Sequence, residues 1–393
     1  MNTIDLNSVN HLLLRKQHLA AGSQLDDICQ IVTDIAGLHA TGTKEPYLAL
    51  FARTRNFNKE QLDNELYVKR TLGKIRCMRG TLYILTKAII PIAHAATSAM
   101  MEKLSVRYME FRGIPLSDYS AISRSILNVL TGKRVSIAEI KAKLKTNANL
   151  SAVVNLMCDQ GLLVRVQSGK NWKARSYTYT PFHEHFPDIN LNTFNEWEGI
   201  ALLVQQYLTS FGPATEDDIA WWTGLGKTKV RTALETMPDH LASLRIQNVK
   251  GDFLILRSNL ALIKKRKDDS EPSVNLLPNL DPYLMGYKQR QRYLRDEDYD
   301  YVFDRSGNAT STILLNGSVI GVWDFEEKSE PVMKIHLFQE VTDEVPEKLC
   351  FKAQQLGQFI ADKEVRVKKM PTMVPLTQRT AGAFMSPLRD TQP

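Results

Sequence analysis

The sequence predicts an α+β protein built from tandem winged-helix units followed by a small C-terminal β-barrel-like domain. Residues 113–190 and 191–260 each run in the order helix, capped helix, helix, hairpin. A looser version of that order occupies residues 1–112. Beyond residue 260 the helical periodicity gives way to two-residue alternation, which marks residues 261–393 as a β-rich domain with a terminal helix and tail.

In the first unit, helices are expected at Ser8–Ala20 and at Leu25–Ile35, the second with Leu25, Ile28, Val32 and Ile35 on one face. KIRCM and TLYIL flank Arg79-Gly80 as a hairpin, and a long helix follows from Lys87 to Tyr108. The second unit reads most clearly. Ile122, Ile126, Val129 and Leu130 share a helix face, Ser136 and Glu139 form a capping box, and Leu150–Cys158 is a third apolar stretch. LLVRVQSGKNWKARSYTYT then alternates as two strands about Ser168-Gly169-Lys170. In the third unit EWEGIALLVQQYLTSFG is a helix, Thr215 and Asp218 cap the next, and KTKVRTALETM stands where a recognition helix belongs. SLRIQNVKGDFLILR supplies two strands about Lys250-Gly251. In the last domain Asn316-Gly317 is a hairpin turn, PVMKIHLFQ a strand and Val345–Ile360 a helix.

Composition sets the class. The 393 residues carry 50 Lys+Arg against 43 Asp+Glu, a net charge of +7, which is compatible with phosphate binding. Cys29, Cys77, Cys158 and Cys350 lie far apart without a CxxC pair, so neither a zinc ribbon nor a disulfide framework is indicated. The N-terminus lacks a secretory pattern, and apolar windows such as Ala88–Ala96 stop far short of the ~20 residues of a membrane span. A cytoplasmic monomer without metal, cofactor or membrane contact is expected. Gly224-Leu-Gly-Lys-Thr228 is not a phosphate loop, because the first glycine of that motif would fall on Trp221. His183-Glu-His185 has no third ligand nearby in sequence and reads as a polar linker.

Repeated winged helices point to double-stranded DNA as the partner, although such units also serve as protein-interaction modules. On the second wing Lys170, Lys173 and Arg175 are either phosphate contacts or the charged guard of a solvated hairpin edge. Arg79, at the first hairpin tip, is a phosphate-contact candidate. Trp172, Tyr177 and Tyr179 are either wedges into the duplex or core.

LLPNLDPYLMGYKQR followed by ILLNGSVIGVW, together with FGPATEDDIAWWTGL and CMRGTLYIL, resembles the AlkZ-like winged-helix family that includes the YcaQ DNA glycosylases. The resemblance runs from about residue 10 to about residue 340. It implies winged helices and a β-barrel wrapped around duplex DNA, and a monofunctional glycosylase that hydrolyses alkylated purines, crosslinked ones included. The family's catalytic element is a Gln-x-Gln or Gln-x-Asp motif ahead of a Pro-Tyr-Leu stretch. Here the matching segment is GLHATGTKEPYLALFAR, which places His39 and Thr41 on those positions with Pro46-Tyr47-Leu48 downstream.

The substitution requires the chemistry to be argued afresh. An N7-alkylated purine is already cationic and leaves readily, so the protein must stabilise an oxocarbenium-like sugar and aim a water at C1′. A neutral His39 accepts a proton near physiological pH while Thr41 holds the water, so rate is expected to fall at low pH. The competing reading is that both residues only pack beside the helix end at Gly37, leaving a non-catalytic DNA-binding protein such as a regulator or lesion sensor. Tyr47, Asp281 and Tyr283 are lesion-cleft candidates, with an Asx turn ahead of Pro282 as the alternative for Asp281.

Overall fold

A computed structural model describes residues 2–167, 172–173, 177–264, 271–342, 344–371 and 375–376. The first segment contains β1 (Asn2–Ile4), α1 (Leu6–Lys16), α2 (Ile28–Asp34), β2 (Leu38–His39), α3 (Glu45–Phe51) and α4 (Lys59–Asp63), then β3 (Leu72–Arg76), β4 (Leu82–Thr86) and α5 (Ile89–Phe111). Next come α6 (Leu116–Leu130), α7 (Ile137–Leu144), α8 (Leu150–Asp159), β5 (Leu163–Gln167), β6 (Tyr177–Pro181) and the short α9 (Phe182–His185). A third segment holds α10 (Glu196–Phe211), α11 (Glu216–Thr223), α12 (Lys227–Glu235), β7 (Leu241–Ile246), β8 (Val249–Leu256) and α13 (Arg257–Lys264). The chain continues with β9 (Val274–Leu277), α14 (Pro282–Met285), α15 (Tyr299–Val302), β10 (Thr312–Leu315), β11 (Ser318–Glu326), β12 (Val332–Leu337), α16 (Glu344–Ala361) and β13 (Arg366–Lys369).

Local chemistry sets the helix starts. The Ser136/Glu139 and Thr215/Asp218 boxes both close reciprocally, as do Asn58/Gln61 and Asn195/Glu198. Asn316 and Gly317 have φ of 50° and 86° between β10 and β11, the left-handed pair that a two-residue hairpin needs. The turn between β7 and β8 lies at Gln247-Asn248, where Asn248 has φ 62°. Lys250-Gly251, expected as that turn, belongs to β8. The turn expected at Ser168-Gly169-Lys170 lies outside the described residues.

Packing ties the segments together unequally. α6, α7, α8 and the β5–β6 pair close a core of their own, with Ile126, Leu130, Ile140, Val153, Met157 and Leu163 inside. The first and third segments instead share one core with the chain around α14. α5 crosses α10 closely enough that a Cβ on Gly199 would lie 2.7 Å from Ala95 Cβ, so only glycine fits there. β1 pairs in parallel with β7, extending the third segment's hairpin to three strands. Nothing in the three residues of β1 announces that partner, which lies far along the chain, with Asn2 opposite Leu244 and Ile4 opposite Ile246.

The C-terminal sheet has five strands in the order β13-β12-β11-β10-β9, antiparallel except for β12 with β13, and α16 packs on it. Among the described residues its edge strands β9 and β13 do not pair, so the sheet is open. Its core is continuous with α2 and α3 of the first segment through Leu48, Leu50, Val274 and Ile313. That continuity fixes the loop between β2 and α3. Among the described residues no helix is long and apolar enough to cross a membrane.

Candidate active site

β2 delivers His39 into the interior. The strand pairs antiparallel with β4, placing His39 opposite Tyr83, and the rings lie 4.7 Å apart at 46°. Ala40 N–H donates to Leu82 O at 2.8 Å, which extends the pairing by one residue before the chain turns away to α3. His39 is 5% exposed, whereas Thr41 is half-buried. The imidazole thus sits behind the threonine, away from solvent.

Two hydroxyls flank the ring. Thr41 Oγ1 lies 3.4 Å from Nδ1 and Thr81 Oγ1 lies 3.5 Å from Nε2. The Thr81 hydroxyl donates to Met78 O at 3.0 Å, so its oxygen faces the ring as an acceptor. That assignment puts the imidazole proton on Nε2 and turns the Nδ1 lone pair towards Thr41. Burial, with the Arg79 guanidinium adding to it, pushes the His39 pKa down to about 3. The ring is therefore neutral at physiological pH and a poor proton acceptor. His39 is expected to take the more active role as proton acceptor; in the structure its lowered pKa leaves it little basicity, and the Thr41 hydroxyl donates to its Nδ1.

Arg79 occupies the tight turn Met78–Gly80 between β3 and β4, with φ 55°. A left-handed arginine is strained by of order 1 kcal/mol or more and persists only where its surroundings demand it. Here they do. The backbone of Arg79 packs against the turn between α11 and α12, where a Cβ on Gly224 would lie 3.0 Å from Arg79 N. Its guanidinium stacks 3.9 Å from the Trp221 ring centre, and Arg290 approaches the same indole at 5.5 Å. Burial, opposed in part by Tyr83 and reinforced by Arg290, lowers the Arg79 pKa. Arg79 Nη1 is buried and donates to no hydrogen-bond partner among the described residues. Two guanidinium groups therefore converge on one indole beside His39, a concentration of positive charge suited to an anion.

The remaining expected residues divide. Tyr47 is buried, donates its hydroxyl to Asp63 Oδ1 at 2.5 Å and meets Trp172 edge-on at 5.2 Å. Asp281 receives two hydrogen bonds from Arg53, at 2.7 and 2.8 Å, with both side chains fully buried. Its Oδ1 also caps Tyr283 N–H at 2.9 Å, the Asx-type turn weighed from the sequence. Tyr283 donates its hydroxyl to Gly317 O at 2.9 Å. All three were expected to line a cleft. They lie in the interior instead, their polar groups satisfied by protein partners, within one segment for Tyr47 and Tyr283 and across segments for Asp281. Burial drives the Tyr47 and Tyr283 hydroxyls well above their ordinary pKa.

Lys173 ion-pairs with Glu327 at 2.5 Å, and Lys44 reaches the same carboxylate at 3.4 Å. Lys170 and Arg175 lie outside the described residues. Trp172 and Tyr179 are core residues rather than wedges. On α12, Lys227, Lys229 and Arg231 pair with Asp217, Glu196 and Glu216, so acids of α10 and α11 already hold its cations. Thr81, Tyr83, Trp221 and Arg290 were missed. The β3–β4 hairpin was legible, but β2 is two residues long and gives no alternation to read, so its pairing with Tyr83 had no signal.

The sequence pattern of a family described as DNA glycosylase AlkZ-like matches residues 32–359. A comparison with curated proteins by sequence found no match. Among solved structures the fold is similar to that of Streptomyces sahachiroi DNA glycosylase AlkZ, with a TM-score of 0.76 at 17% identity, covering 94% of this chain and 100% of that one.

Proposed function

The chain belongs to the AlkZ-like DNA glycosylase family and is a DNA repair glycosylase; from that premise we propose that it hydrolyses the N-glycosidic bond of alkylated purines, including purines held in interstrand crosslinks. The proposed partner is double-stranded DNA, bound by a cytoplasmic monomer. We read residues 113–190 and 191–260 as winged helices, residues 1–112 as a modified one carrying the catalytic pair, and residues 261–393 as the β-rich closing domain.

The observation that carries the reading is the hydroxyl–imidazole–hydroxyl array at His39 beside a buried, cationic turn. Neutral His39 accepts from Thr41 and fixes that hydroxyl, leaving its oxygen to accept from a water aimed at C1′. Because the leaving base is cationic, its bond electrons neutralise it on departure and no strong general acid is required. A neutral imidazole also spares the developing sugar cation the repulsion a charged one would bring. Arg79 takes a phosphate next to the lesion, and Lys170, Lys173 and Arg175 extend the backbone contact. Lys173 must first exchange Glu327 for that phosphate; exposed ion pairs of this kind are worth about 0–1 kcal/mol, so the exchange is cheap.

Incubating the protein with 7-methylated and nitrogen-mustard-crosslinked duplexes, followed by alkaline cleavage, tests the reading. Breaks at abasic sites in both are expected. Duplex binding without breaks in either would leave a DNA-binding protein and overturn the proposal.

A further inference from the structure

His39 and Thr41 leave one requirement of the chemistry unmet. Attack of water on C1′ passes through a positively charged sugar and releases a proton, yet a buried neutral imidazole and a hydroxyl carry no charge and little basicity. The nearest acid in sequence is Glu45, the first residue of α3. Its side chain does not extend away along the helix. It curls back over the loop, so that a Cβ on Gly42 would lie 1.9 Å from Glu45 Oε2, 2.3 Å from Cδ and 2.7 Å from Oε1. Gly42 does not have a positive φ, so turn geometry does not require glycine there. The absent side chain instead makes room for the carboxylate, one residue from Thr41.

The loop is held at both ends and from outside. Ala40 is hydrogen-bonded to β4, and Pro46 and Tyr47 bury the start of α3. Thr43 Oγ1 donates to Lys173 O at 3.1 Å, joining the loop to the segment between β5 and β6. At its far end α3 is anchored by the buried Arg53–Asp281 pair. The carboxylate is therefore carried on a fixed loop rather than on a free side chain at the surface.

Resting on the glycosylase reading, we propose that Glu45 is a further catalytic residue: its carboxylate takes the proton of the attacking water and balances the charge of the sugar. In that step the water oxygen forms a bond to C1′, and the C1′–N bond breaks with its electron pair passing to the cationic base. The water proton moves to the Glu45 carboxylate and thence to solvent. Thr41 holds the water, His39 orients Thr41, and Glu45 supplies the charge that the Asp of a Gln-x-Asp motif would supply two positions after its Gln.

Single-turnover release of 7-methylguanine, measured for wild type, Glu45→Gln, Glu45→Asp and Gly42→Ala, tests the proposal alongside duplex affinity and melting temperature. Glu45→Gln is expected to slow release by roughly 100-fold with affinity and melting unchanged, and Glu45→Asp to restore part of the rate. Gly42→Ala, whose new methyl displaces the carboxylate, is expected to slow release as well. A second readout needs no turnover. Wild type should prefer a duplex bearing a cationic pyrrolidine abasic analogue over one bearing neutral tetrahydrofuran, and Glu45→Gln should abolish that preference. Release by Glu45→Gln within threefold of an active wild type, with the preference retained, overturns the role of Glu45 alone. Absence of release by wild type itself overturns the glycosylase reading instead.

Discussion

Replacing Asp281 with alanine separates a structural from a lesion-binding role, and the structure sets the size of the effect. Arg53 and Asp281 are both fully buried and joined by two hydrogen bonds, so removing the carboxylate strands a guanidinium in the interior. Among the described residues Arg53 then keeps only the contact from Nη1 to Ala49 O at 2.9 Å. Breaking a buried pair from one side costs about 3–5 kcal/mol, and loss of the cap on Tyr283 N–H adds about 1 kcal/mol. Urea unfolding followed by tryptophan fluorescence reads the loss directly. The double variant Arg53→Met with Asp281→Leu should recover most of it, since well-packed apolar pairs often replace buried ion pairs without net cost. A cost below about 1 kcal/mol for Asp281→Ala, accompanied by lost base release, would refute the assignment and return Asp281 to the lesion cleft.

Four further expectations follow from the same geometry. Because His39 stays neutral down to about pH 3, base release by wild type should show no step near pH 6.5. Its effect on stability has the opposite visibility. Below its ordinary value of 6.5 the unfolded chain takes up a proton that the native state refuses, so stability should fall as pH drops from 6.5 towards 3, and His39→Gln should flatten that decline in acid-unfolding curves. Arg79→Ala should weaken duplex binding and reduce the slope of log affinity against log salt by about 0.9, as one lost phosphate contact requires; an unchanged slope would remove Arg79 from the interface. Gly317→Ala should cost about 1–3 kcal/mol in chemical denaturation, since the residue has φ 86° and its Cβ would press 2.9 Å from Tyr283 Oη.

What could be read in advance follows a physical division. Elements with their own local signal were legible: the capping boxes at Ser136 and Thr215, the apolar faces of α6 and α8, and the Asn316-Gly317 turn. The site was legible only in part, because His39 and Thr41 were placed by likeness of motif rather than by any property of the two residues. The roles of its neighbours depend on contacts between segments distant in sequence. Asp281 and Tyr283 look functional as polar residues in an apolar stretch, and their partners Arg53 and Gly317 explain them otherwise. Trp221 looks like core until Arg79 is seen to stack on it from another segment. The proton-poor state of His39 depends on burial, which one two-residue strand and its cross-strand tyrosine create together.

Base release is proposed to require this hydroxyl–imidazole array. The most direct measurement compares single-turnover release of 7-methylguanine from a methylated duplex by wild type, His39→Ala and His39→Gln, with melting temperature and duplex affinity taken on the same samples. Wild type should release the base. His39→Ala should fold and bind but release it roughly 100-fold more slowly, and His39→Gln, which restores the amide of the family motif, should recover most of the rate. Equal release by wild type and a folded His39→Ala protein would contradict the account.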